Sequence, residues 1–309
     1  MILAQKLKAH LGLIGTNLFF ATNYSIVKYF TGHHFAGPFG LNLIRIGVSL
    51  IFFWILFFFE HDKTRIQKHE IIPLILCALT AIAINQMLFI KGLSLTFSIH
   101  ASLLTLITPI MITIIAARIL KEKLTLEKIA GLIIAAIGAV LLIGSREPTS
   151  PGENVIIGDL LVLASAIAYT FYFILVKPFM NRYSAIFVMR WVFTFGFFLI
   201  LPLCTNEFSK ITWSTFTLKD WVFLFLLTIP GTFLAYIFNA YGIKKLNASV
   251  AGAYIYSQPV FAVAIAMIFL KEQLSFLKIV AAAMIFAGVF LSNKKIESNN
   301  APPVKRNTP

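Results

Sequence analysis

The sequence predicts an all-α integral membrane fold: ten transmembrane helices arranged as two inverted five-helix repeats. Three observations predict it. Hydrophobic residues make up 59% of the 309 positions and charged residues only 12%, against a globular norm of roughly half and a quarter. The apolar residues fall into ten runs, each near the ~20 residues a spanning helix needs. The chain also aligns with itself at an offset of 150 residues.

Taken in order, the runs cover about 10–30, 38–59, 71–90, 98–120, 126–143, 157–177, 184–204, 220–241, 248–270 and 276–292. The first is long enough to span and lacks an A-x-A-like cleavage site, so it reads as a helix and not as a signal peptide. Connections are short and carry turn residues, such as Gly32-His33-His34 and the segment from Ser145 to Asn154 with its two prolines. The polar tail, 294–309, reads as a disordered cytoplasmic segment. With the N-terminus inside, 18 Lys and Arg residues fall on the inner side and 8 on the outer. That bias places both termini in the cytoplasm, in a bacterial-type inner membrane. The same clustering explains the net charge of +14 without a nucleic-acid partner, because no continuous basic face forms. The expected partners are the lipid bilayer and a small-molecule substrate, with the chain a monomer or a homodimer. Cys77 and Cys204 fall in different helices, near opposite faces, and are not expected to pair.

The self-match is gapless from 89–143 onto 239–293. Gly92 falls on Gly242, Pro109 on Pro259, Leu120-Lys121-Glu122 on Leu270-Lys271-Glu272, and Gly138 on Gly288. Apolar matches carry little weight in such a chain; prolines, glycines and Lys-Glu pairs carry more. Earlier helices repeat with slightly shorter offsets, as in Val27-Lys28-Tyr29-Phe30 against Val176-Lys177-Pro178-Phe179, and Arg45 against Arg190. The units are 1–148 and 149–293. Five spans is an odd number, so the second half inserts upside down relative to the first, an architecture that sets a site near mid-membrane.

On these residues the chain resembles the drug/metabolite transporter superfamily, in its ten-helix EamA-type branch. The Arg45 and Arg190 helices, the two Pro-centred fourth helices, the Lys-Glu-x-Leu segments at 121–124 and 271–274, and Gly158-Asp159-Leu160-Leu161 carry the resemblance. It implies a secondary carrier, often an exporter of amino acids or related metabolites, that works by alternating access through a central cavity.

Charges inside a bilayer are functional candidates by default. The acids, among them Glu60, Glu122, Glu147, Asp159, Glu207, Asp220 and Glu272, sit in loops or at helix ends. This argues against a carboxylate proton wire and for a neutral pocket. It leaves His100 as the one histidine within a helix, either a cavity group suited to proton coupling or a cap facing headgroups. Arg45 and Arg190 read as structural anchors that hydrogen-bond loop carbonyls, with a substrate-carboxylate or gate contact as the alternative. Glu122 and Glu272 read as structural charges that pair with a nearby cation or cap the next helix. Pro109 and Pro259 free the carbonyls of Thr105 and Ile255 and read as repeated hinges.

Polar stripes mark the expected pocket. Thr16, Phe20 and Asn23 share one face of the first helix and fall, at an offset of 149, on Ser165, Tyr169 and Tyr172. Asn85 and Gln86, Ser102, Thr105 and Thr108, Tyr236 and Asn239, and Tyr254, Ser257 and Gln258 join them from other helices. Some of these polar side chains would serve as interhelical glue. The rest would hydrogen-bond a zwitterion or similar polar metabolite. Gly131, Ala135 and Ala139, with Ala283 and Ala287, read as small faces that let the fifth helices pack closely as scaffold. The chain carries no metal-spaced Cys or His, no Gly-x-Ser-x-Gly and no Gly-rich phosphate loop. An enzyme or an ATP-driven pump is therefore disfavoured, and no cofactor is expected. A channel or receptor stands as the alternative to a carrier.

Overall fold

The computed structural model describes residues 2–59, 66–108, 111, 126–144, 154–246 and 254–293. Among these every regular element is helical. The elements are α1 (Ile2–Gly32), α2 (Pro38–Phe59), α3 (Lys68–Leu95), α4 (Ser98–Ile107), α5 (Leu126–Gly144), α6 (Val155–Arg182), α7 (Ala185–Ser209), α8 (Leu218–Leu246), α9 (Ser257–Leu270) and α10 (Phe276–Asn293). Among the described residues five helices are long and apolar enough to cross a membrane: α2, α3, most of α6, α7, and α8 as far as Asn239. Although α1 is longer, at 31 residues, its row of Thr16, Asn17, Thr22 and Asn23 dilutes its hydropathy. The same polar residues give it a special role below. Large apolar side chains face outward, as a hydrocarbon surround requires. Phe59 is 77% exposed, with Phe58, Phe198 and Phe290 similarly bare.

Helix pairing follows a pattern. α2 packs on α7, α5 on α10, α1 on the Ala235–Leu246 part of α8, and the Met87–Leu95 part of α3 on α6. Under the sequence repeat α2 corresponds to α7 and α5 to α10, while the α1–α8 and α6–α3 pairs exchange. A two-fold relation between the halves would generate these pairings. The halves also interleave. One buried cluster joins Val27, Leu41 and Ile99 to Leu227, Ala262 and Ile285; a second joins Ile46, Phe53 and Cys77 to Val188, Phe193 and Phe233. Both cysteines are buried and free, and the Cys204 thiol lies 3.6 Å from Met87 Sδ.

Small residues fix the closest approaches. A methyl group on Gly288 of α10 would stand 2.5 Å from the Gly131 carbonyl and the Ala135 nitrogen of α5, and one on Gly138 would stand 2.9 Å from the Ala281 carbonyl. Thus Gly131 and Ala135 face the partner helix as expected. Ala283 and Ala287 do not; they point outward, and Ala281 and Gly288 line the contact instead. A spacing of four fixes which residues share a face, but the fit against the neighbour decides which face turns in. Gly92 and Gly158 bring α3 and α6 together similarly, each added methyl falling within 2.8 Å of the other glycine's carbonyl.

Two of α3 and α8's turns depart from regular α geometry at matching places. Wide π-helical turns run over Leu79–Gln86 in α3 and Ile229–Leu234 in α8, starting 150 residues apart. The fourth helices are also interrupted in step: α4 tightens over Thr105–Ile107, and a turn at Tyr256 precedes α9. Pro259 is buried in the first turn of α9, three residues past that break. Pro109, Glu122 and most of the segment that joins α4 to α5 lie outside the described residues, as do the 145–153 connection and the 294–309 tail.

Helix ends are closed by acids from distant segments. Glu207, near the end of α7, accepts from the Phe39 and Gly40 nitrogens at the start of α2 (2.6 and 3.1 Å). Glu272 accepts from Ser98 and Ile99 (2.8 and 3.0 Å). So Glu272 caps α4, and not the following helix as the sequence suggested, because α4 presents the nearer unpaired N–H groups. Capping boxes open α3 and α8 alike: Glu70 with Gln67, and Asp220 with Thr217. Each acid also receives a tyrosine hydroxyl from the far half, Tyr183 on Glu70 and Tyr29 on Asp220.

The tight α5–α10 contact gives a test of the packing. Gly288→Ala should lower stability by about 1–3 kcal/mol through overpacking, whereas Gly144→Ala, with nothing within 4 Å, should stay within about 0.5 kcal/mol of the parent. Thermal unfolding in detergent reads the difference.

Candidate functional site

The wide turns in α3 and α8 gather the polar residues of both halves. A wide turn loosens the regular ladder and leaves carbonyls in need of donors, which hydrocarbon cannot supply. Polar bonds join each wide-turn helix to the first helix of the other half. In α1, Thr16 donates to the Ala235 carbonyl (3.2 Å) and Asn23 to the Gly231 carbonyl (2.6 Å), both on α8. Asn85 of α3 donates to the Ser165 carbonyl of α6 (2.8 Å). Thr16 matches Ser165, and Ala235 matches Asn85, so the first and third of these contacts are counterparts.

At the centre the halves meet in one pair. Gln86 Nε2 donates to the Tyr236 hydroxyl at 3.3 Å, and the two residues are 150 positions apart. Equivalent positions of the repeat therefore touch. Aromatic rings surround them: Phe20 and Phe193 lie 5.8 and 5.4 Å from Tyr236, edge to face, and Tyr169 and Tyr172 lie 5.6 Å from each other.

A second junction ties the interrupted fourth helices together. The Tyr24 hydroxyl is hydrogen-bonded with Thr105 Oγ1 of α4 (3.1 Å) and accepts from Gln258 Nε2 of α9 (3.0 Å). Tyr24 is therefore a pin at the two places where the helices lose regular form. The sequence stripe through Asn23 misses it, because the next residue on a helix points about 100° away. Ser102 and Ser257 bond only locally, to the Ile99 and Tyr254 carbonyls. Thr108 and Asn239 are half-buried.

His100 does not face outward as a cap. It is fully buried and its Nδ1 lies 3.0 Å from Asp159 Oδ2, while Thr96 donates to the other carboxylate oxygen. Asp159 is near the start of α6, as the sequence suggested, yet it is closed off from solvent. Nor is His100 the one helical histidine: α1 begins at Ile2, so His10 lies inside it and is hydrogen-bonded with the Tyr254 hydroxyl at 2.8 Å. His10 and Asp159 occupy matching positions at an offset of 149. The pairs link α1 to the residues preceding α9, and α6 to α4.

The repeated arginines part ways. Arg190 lies over the Phe57 ring at 3.5 Å and the Trp54 ring at 4.9 Å, a cation–π setting. Arg45 reaches inward, where its Nε donates to the Thr232 hydroxyl in the wide turn of α8 (3.3 Å), so the centre is not wholly neutral. Asn42, Arg45 and Ser49, at i, i+3 and i+7, form a buried stripe on α2. That spacing is legible in the sequence but is overshadowed there by the longer aromatic stripes.

Comparison with known proteins supplies the context. The EamA-like transporter family matches the chain twice, over residues 7–144 and 156–294. The uncharacterized transporter YetK of Bacillus subtilis is 25% identical over 82% of this chain and 78% of its own length. A probable terminal-alkyne amino-acid exporter of Streptantibioticus cattleyicolor is 28% identical over 75% of this chain and 76% of its own. A solved crystal structure at 18% identity superposes with a TM-score of 0.63, covering 91% of this chain and 95% of that one, and so shares the fold.

The buried His100–Asp159 contact predicts an ordering of variants. Asp159→Ala, which strips partners from His100 and Thr96, should cost about 2–3 kcal/mol. Asp159→Asn, which keeps an acceptor, should cost less. Unfolding midpoints of the purified variants give the comparison.

Proposed function

We propose that this chain, which belongs to the EamA-like transporter family, is a secondary carrier that exports small polar metabolites, amino acids foremost, by alternating access. Its ten helices form two five-helix units, 1–148 and 149–293, inserted in opposite senses in a bacterial-type inner membrane with both termini in the cytoplasm. The observation that carries the reading is the Gln86–Tyr236 contact: polar and aromatic groups converge where equivalent positions of the two units meet, the place where such carriers hold cargo.

End contacts support the threading. Tyr29 with Asp220, Glu207 with the start of α2, and Glu272 with the start of α4 join ends assigned to the outer side. Tyr183 with Glu70, and His10 with Tyr254, join ends assigned to the inner side. The His100–Asp159 and His10–Tyr254 pairs thus stand at opposite ends of the bundle, as latches for the two sides. Tyr24 holds both interrupted helices at the middle, where a change of tilt would open one side and close the other. The likeness to an amino-acid exporter favours that cargo class and direction.

Proteoliposome counterflow is the test. Labelled amino acid should accumulate against an internal pool and saturate with concentration; flux that never saturates and shows no exchange would mark a channel instead. Tyr236→Ala and Gln86→Ala should each slow counterflow by roughly tenfold or more, the loss of one or two hydrogen bonds to cargo or to the moving seam. Single cysteines at Asn85, Tyr254 and Gln258 should react with water-soluble reagents in a side-dependent way, and failure of all three to react would sink the pocket assignment.

A further inference from the structure

A buried cation and a buried amide are left with complementary unused atoms at one turn of α8. Arg45 is 4% exposed, and its Nε donates to Thr232 Oγ1. Among the described residues its Nη1 is buried with no acceptor and no ion pair involves it. Anchored one residue away along α8, Asn23 is 6% exposed and spends its Nδ2 on the Gly231 carbonyl, leaving Oδ1 buried against Gly231 with no donor among the described residues. Both side chains are therefore anchored on consecutive residues, 231 and 232. A guanidinium N–H without an acceptor in a low-dielectric interior is strongly unfavourable until an anionic oxygen meets it. An amide oxygen without a donor is the milder version of the same deficit.

The unused donor calls for a carboxylate, and the unused acceptor calls for an N–H group close by. An α-amino acid carries both on one carbon. We infer that Arg45 is the receptor for the carboxylate of an α-amino acid and Asn23 Oδ1 the acceptor for its ammonium group, with the Gly231–Thr232 turn fixing their spacing. Thr232 holds Arg45 in place by accepting from Nε and, through its own hydroxyl, donating to the Leu227 carbonyl at 2.8 Å. The fork of the guanidinium leaves its outer edge for bidentate contact with a carboxylate. Arg190, its counterpart in the repeat, is instead set over aromatic rings. The inference rests on the carrier reading only for the bound molecule being cargo.

Binding is measured apart from transport. The full-length protein in detergent is melted with each proteinogenic L-amino acid and with its carboxamide, which keeps the ammonium and removes the anion. At least one acid should raise the unfolding midpoint, and its amide should not. Arg45→Gln should weaken that acid by roughly 10- to 100-fold. Arg45→Lys, which keeps the charge and loses the fork, should retain the preference for acid over amide at lower affinity and keeps the test valid if Arg45→Gln misfolds. Asn23→Leu should weaken the amino acid more than the matching carboxylic acid that lacks the amino group. Equal stabilisation by acid and amide, unchanged affinity in Arg45→Gln, or no response of the parent protein to any amino acid would each overturn the assignment. Acid-selective, Arg45-dependent binding without counterflow would uphold it and defeat the carrier reading. Saturable amino-acid counterflow indifferent to Arg45→Gln would do the reverse.

Discussion

The wide turns of α3 and α8 impose the requirement that organises the rest of the bundle. Inside hydrocarbon a backbone carbonyl must find a donor within the protein, and a regular helix finds it in itself. Where the turn widens, at Leu79–Gln86 and again at Ile229–Leu234, another helix has to help. In α8, Asn23 of α1 does so within the wide turn and Thr16 at the Ala235 carbonyl just past it. Asn17 and Thr22, also on α1, bond carbonyls of α1 itself. Polarity in this chain is thus first an obligation of the backbone, and binding chemistry is built from what the obligation leaves over.

Charge obeys a similar division. Glu207, Glu272, Glu70 and Asp220 each spend their oxygens on N–H groups at helix starts. They neutralise the positive end of the helix dipole at the edge of the apolar slab, where solvent is near. His100 and Asp159 are an interior version, a pair that satisfies itself and Thr96. Arg45 differs because it reaches a hydroxyl in the wide turn of the other half. The contrast with Arg190, cushioned by Phe57 and Trp54, shows that a repeated residue type does not carry a repeated role. The environment, supplied by other helices, decides.

Much of the framework is legible in the sequence. Apolar run length locates the helices, and glycines, prolines and Lys-Glu pairs, being costly to place at random in a helix or a membrane, reveal the repeat. The polar stripe of α1 is legible through its period. What escapes is whatever depends on a partner far along the chain. No local pattern encodes a wide turn, so the carbonyls that Thr16 and Asn23 serve are invisible. Asp159 is visible as an acid near a helix start, but its partners His100 and Thr96 lie some sixty residues earlier. Ala283 and Ala287 share a face as their spacing says, yet the fit of Gly288 into α5 turns that face outward.

The contact between Gln86 and Tyr236 has a bearing on ancestry. In a symmetric pair of separate five-helix proteins, the residue on the axis meets its own copy, so it must be compatible with itself. Glutamine would face glutamine, or tyrosine would face tyrosine. Joining two such units in one chain lifts that condition, since each copy of the position mutates alone. The unlike pair seen here, an amide donating to a phenol, is closed to a symmetric pair of identical units. It gives the middle of the molecule a handedness of polarity that a homodimer of identical halves cannot possess.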